Sequence, residues 1–128
     1  MARILVVDDE QMIRDVIRMQ LERAGYDVVC AEDGRRAAQL IADESVDLMI
    51  TDIFMPENDG YEAIREARVR RPGLPVIAMS GGAAGVLPDP GLALTTADRL
   101  GAIEVLAKPF RSEELTAAVE RALAAARG

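Results

Sequence analysis

Three acids in a row stand directly behind an apolar run: Ile4–Val7, ILVV, is followed by Asp8, Asp9 and Glu10. Like charges crowded at the mouth of a buried segment repel one another and require a cation among them. The other residues with chemical potential are few. Asp52 follows the run DLMIT, Ser80 follows PVIAM, and Lys108 follows EVLA. Lys108 is the single lysine, the other fourteen basic residues being arginine, and there is no histidine. That absence removes the commonest general base and the commonest transition-metal ligand. Hard carboxylate oxygens without histidine point to Mg²⁺, which keeps several waters and shares its site with phosphate. A carboxylate can also act as a nucleophile and become an aspartyl phosphate. Such a transfer needs charge neutralisation, which Mg²⁺ and a compact ammonium supply from two sides. A small hydroxyl, as on Ser80, can donate to a phosphoryl oxygen.

Short apolar runs alternating with helical patterns must position these groups. RILVV, DVVCA, DLMIT, PVIAM and EVLA are rich in branched aliphatics and bounded by polar or turn residues, which predicts five strands. Ile13, Val16, Ile17, Leu21 and Ala24 recur at helical spacing, and Gly25 supplies a stop. Further helices are predicted over Arg35–Asp43 and from about Gly60 to Arg70. Asp89 before Pro90 reads as the cap of a fourth, ending near Leu100 with Gly101 behind it. Ser112 reads as the cap of the last helix, with Leu115, Val119, Ala122 and Leu123 as its buried stripe. Glu113 and Glu114 suit its positive end.

Five strands alternating with five helices predict βαβ units and a parallel sheet covered on both faces. Right-handed crossovers favour a flavodoxin-like, doubly wound α/β fold with strand order 2-1-3-4-5. At 128 residues the chain fits one domain, 1–128, in which Gly81–Pro88 reads as an extended glycine-rich loop. Such sheets bind ligands outside the carboxyl ends of their strands. Asp8 and Asp9 end the first strand, Asp52 the third, Ser80 the fourth and Lys108 the fifth, and those four strands are neighbours in this order. Singly, each has a plainer reading: a helix cap for Asp8 and Asp9, a turn former for Asp52, a loop serine, a surface lysine. Glu10 is assigned to that capping role, as an acid of the first helical turn. Convergence at one rim favours phosphoryl chemistry. Met12, Met19, Met49, Met55 and Met79 read as packing, and Cys30 as a small buried hydrophobe.

With these residues placed, the chain resembles the receiver domains of two-component response regulators over essentially its whole length. VVDDE, TDIFMP with DG shortly after, MSG and AKPF occur in that family's order. The resemblance implies that Asp52 is the phosphoacceptor. It implies Mg²⁺ bound by Asp9, Asp52 and the Phe54 backbone carbonyl, with Asp8 acting through water. Ser80 would follow the phosphoryl group, and Lys108, oriented by a cis bond to Pro109, would pair with it. Two departures stand out. Val105 occupies the position where the family often has an aromatic residue. Ser80 and Lys108 are 28 positions apart, and the surplus falls in the glycine-rich loop and beyond; against a tolerated insertion, it is read as a partner-reading element that orders when Ser80 moves.

The implied role is phosphorelay: a histidine kinase or histidine phosphotransfer protein donates to Asp52, and a protein-binding surface switches for a downstream target. The only chemistry of its own would be self-catalysed phosphoryl transfer and autodephosphorylation, so it is not expected to be an enzyme. The alternative is a receiver portion cut from a larger response regulator or hybrid kinase. A formal net charge of -7 argues against direct nucleic-acid binding, and the four arginines of Arg65–Arg71 read as a solvated helix face. One cysteine precludes an intramolecular disulfide, and no apolar run approaches membrane length, so a cytoplasmic monomer or weak dimer is expected. A haloacid-dehalogenase-like phosphatase would want an acid where Phe54 stands. A flavodoxin-like flavin binder would set its phosphate against three acids. A degenerate receiver is disfavoured because every site residue is present.

Overall fold

A computed structural model of the chain describes residues 2–53, 59–80, 104–108 and 110–127. Five strands, β1 (Arg3–Val7), β2 (Asp27–Ala31), β3 (Leu48–Asp52), β4 (Val76–Ser80) and β5 (Glu104–Ala107), form one sheet. All neighbours pair in parallel, in the order β2-β1-β3-β4-β5. The helices are α1 (Gln11–Arg23), α2 (Gly34–Asp43), α3 (Asp59–Arg70) and α4 (Ser112–Arg127). The expected helix from Asp89 to Leu100, the loop Gly81–Pro88, Phe54, Met55 and Pro109 lie outside the described residues.

The two-residue period of a strand divides the core into two layers. Leu5 and Val7 of β1 face α2 and α3, where Leu40, Ile41, Ala63 and Ile64 meet them. Ile4 and Val6 face the other way, against Ile17 and Leu21 of α1 and Leu115 and Val119 of α4. Central β1 and β3 are therefore apolar on both faces, whereas edge strands β2 and β5 are buried in part. Among the described residues no helix is long and apolar enough to cross a membrane.

Local signals end the helices. After α1, Gly25 at φ 96 adopts the left-handed conformation that a side chain resists. Gly25 donates to Glu22 O (3.0 Å) and Tyr26 to Leu21 O (3.1 Å), the paired bonds that close a helix of this kind. Asp33 caps α2, its carboxylate accepting from Arg36 N–H at 2.8 Å.

Four expectations require correction. Ser112 is the first residue of α4, not its cap: Arg111 O accepts the first helical bond from Leu115, and Glu114 reaches back to Arg111 N–H at 3.3 Å. A glutamate at the third helical position satisfies the cap residue's amide without a capping hydroxyl. Met12, Val16 and Met19 are exposed at 76%, 44% and 53%, and Ala24 is exposed too, because the sheet meets the Ile17–Leu21 side of α1. Met49 and Met79 are buried as expected, while Cys30 is only half-buried on the edge strand. Within the arginine stretch, Arg68 is half-buried and donates to the carbonyls of Pro72 and Leu74, tying the turn after α3 to its last residues.

Candidate functional site

The carboxyl ends of β1, β3 and β5 bring Asp8, Asp52 and Lys108 together. Parallel pairing places Val7 beside Thr51, and one residue further on sets Asp52 beside Met79 and Met79 beside Leu106, so the strand ends form one rim. Asp8 is fully buried and Asp52 is 1% exposed, an environment that carboxylates tolerate only when paired. The pairing comes from Lys108: its Nζ donates to Asp8 Oδ2 at 2.9 Å and to Asp52 Oδ2 at 3.0 Å. Burial by itself would lower the Lys108 pKa, but the hydrogen bond to Asp8 and the charges of Asp52 and Asp8 outweigh it, and the pKa is raised. The lysine therefore stays an ammonium at neutral pH.

The β1–α1 turn gathers the acids on the other side. Asp8 Oδ1 accepts the Glu10 N–H at 2.9 Å, which folds the turn back on itself. Carboxylate oxygens of Asp8, Asp9 and Glu10 lie within 4.8 Å of one another, with Asp9 exposed and Glu10 partly so. Glu10, assigned in the sequence to the capping of the first helix, does hold the N-cap position of α1 with extended backbone, but it makes no side-chain cap bond. Its carboxylate joins the acid group instead. The run of three acids was the available signal. Thr51, fully buried beside Asp52, donates from Oγ1 to the Asp52 carbonyl at 3.2 Å.

Of the residues singled out in the sequence, Asp8, Asp52 and Lys108 are in direct contact, and Asp9 adjoins Asp8. Asp52 is linked to the acid triplet through Lys108 and is not one of its three members. Ser80 ends β4 opposite Ala107 and is described by its backbone alone. Val105, at the position of the family's aromatic, packs partly buried against the α2–α3 layer. The donor set around Asp8 consists of hard carboxylate oxygens, and it suits a small divalent cation that retains water.

This fold and rim define a receiver. The chain matches the model of the response regulator receiver domain over residues 4–120 and belongs to that family. Its general function is phosphorelay signalling in two-component systems, in which receiver domains work with histidine kinases and downstream effectors. It is similar to a CheY-like receiver domain protein of Methanospirillum hungatei, with 27% identity and a TM-score of 0.87, covering 99% of this chain and 97% of that one. The chemotaxis protein CheY4 of Vibrio cholerae is 30% identical with a TM-score of 0.84, covering 95% and 98%. NtrX from Brucella abortus is 33% identical with a TM-score of 0.87; the match covers 99% of this chain but 28% of that one.

Proposed function

We propose that this receiver accepts a phosphoryl group on Asp52 from a partner's phosphohistidine, in a Mg²⁺-dependent transfer, and so switches a protein-binding surface. The observation that carries the reading is the Lys108 ammonium bonded at once to two buried carboxylates at the carboxyl ends of different strands. Burying two anions around one cation leaves an excess negative charge that a fold gains nothing from unless a second cation and a phosphoryl group visit. When bound, Mg²⁺ would offset charge on the phosphoryl oxygens and the attacking carboxylate. Asp8, Asp9 and Asp52 would hold it, with the Phe54 carbonyl as a further oxygen.

In the transfer, a carboxylate oxygen of Asp52 attacks phosphorus, the P–N bond of the donor breaks, and the imidazole leaves with its electron pair and takes up a proton. Lys108 holds Asp52 in place before the attack and stands ready to pair with the phosphoryl oxygens after it. Ser80 would contribute its hydroxyl to the same oxygens. Hydrolysis by water returns the carboxylate and releases phosphate. Beyond this self-catalysed gain and loss, we assign no enzymatic turnover.

The donor must seat over this rim, and α1 starts at the acid triplet. Met12, Val16 and Met19 give that helix an exposed apolar stripe at i, i+4 and i+7, a face suited to a helix of the phosphohistidine-bearing protein. The test of the acceptor is chemical. After phosphorylation, borohydride reduction converts an acyl phosphate to an alcohol, so homoserine is expected at position 52 and at no other aspartate. Homoserine elsewhere, or none, would sink the assignment.

A further inference from the structure

We propose that Arg14 is a positioning residue of the cation site: it fixes Asp8 through the main chain and leaves every carboxylate oxygen open to the metal. The inference rests on the reading of the rim as a Mg²⁺ site. Arg14 lies in the first turns of α1, where its amide bonds Glu10 O at 3.1 Å. Its guanidinium turns back, and Nη1 donates to the Asp8 carbonyl at 2.7 Å, a charge-assisted bond across six residues. The carbonyl at the end of a strand has left the sheet ladder and needs a partner. Arg14 supplies it.

With that bond, Asp8 is held at four points. Its N–H donates to Ala31 O (3.2 Å), its carbonyl accepts from Arg14, Oδ1 accepts from Glu10 N–H, and Oδ2 accepts from Lys108. Asp8 in turn places the carboxylates of Asp9 and Glu10 beside its own. The two cations of the rim therefore differ in kind. Lys108 occupies carboxylate oxygens directly and competes with an incoming ion. Arg14 has no ion pair with any carboxylate among the described residues; it offsets charge from a carbonyl and occupies none of the oxygens a metal needs.

The two possible roles of Arg14 differ in sign. A bystander cation repels Mg²⁺, so removing it tightens binding. A residue that holds the ligand-bearing turn weakens binding when removed, as loss of a group that orients metal ligands does by about tenfold or more. The experiment is Mg²⁺ titration of the whole chain by calorimetry, for the wild type, Arg14→Met and Arg14→Gln, with melting temperatures recorded without metal. About tenfold weaker Mg²⁺ binding is expected in both neutral variants, and either one that folds suffices. Unchanged or tighter binding, even with a lowered melting temperature, would overturn the proposal and make Arg14 a strut. A wild type that binds no Mg²⁺ would remove the reading of the rim itself, and this inference with it.

Discussion

Lys108 is the residue on which the rim's stability turns. Removing the ammonium takes from the buried Asp8 and Asp52 the cation they share, and breaking such a buried ion pair costs about 3–5 kcal/mol. Lys108→Met is therefore expected to lower the urea midpoint strongly without metal, and added Mg²⁺ should recover part of the loss. A midpoint equal to the wild type would mean that the carboxylates do not depend on the lysine. Asp52→Asn has the opposite sign. It deletes one of two anions sharing one cation and leaves Lys108 on Asp8, so its midpoint without metal should equal or exceed that of the wild type. Cys30 gives a quieter check: burial raises its pKa, against smaller opposing contributions from Arg18 and Arg14. Its thiolate fraction at pH 8 is then below that of an exposed thiol, and alkylation by iodoacetamide should be correspondingly slow. Reaction as fast as a free thiol would contradict the half-buried placement.

Among the elements, α1 separates what periodicity can and cannot tell. Two apolar stripes run along this helix: Ile13, Ile17 and Leu21 on one side, Met12, Val16 and Met19 on another. Helical spacing alone fits both, and only packing chooses; the branched Ile17 and the long Leu21 meet the sheet, and the methionines remain outside. The strand ends were legible because an apolar run stopped by a charged residue admits few readings. The cap of α4 was not, since Ser112 has the preferred chemistry yet Glu114 serves Arg111 in its place. Arg14 left no mark in the sequence, because a side chain reaching back to a carbonyl has no periodicity. The outer stripe yields an element-scale test. Met12→Lys with Met19→Lys replaces exposed side chains, so stability should stay within about 0.5 kcal/mol. Phosphotransfer from the donor protein should slow severalfold, while transfer from a small phosphodonor should not. Equal slowing of both would remove α1 from donor recognition.

At the level of the whole molecule, the sheet order and both faces of the core follow from patterns of alternating strand and helix. All five strand ranges were legible to within one residue, as were the starts of α2 and α3. The rim then follows from topology: residues 8, 52 and 108, far apart in the chain, must converge once β1, β3, β4 and β5 are neighbours. What topology does not fix is how charges share one another. Mg²⁺ and Lys108 were both expected beside the acids; the structure bonds Lys108 to Asp8 and Asp52 and gathers Glu10 with Asp8 and Asp9. In the function proposed above, metal binding would replace one cation's hold by another's, and phosphorylation would depend on it. The most direct measurement is intact mass after incubation with a small phosphodonor, with Mg²⁺ or with a chelator. We expect one added phosphoryl group with Mg²⁺, little or none with chelator, and none in Asp52→Asn. Equal phosphorylation in the chelator, or persistence in Asp52→Asn, would contradict the account.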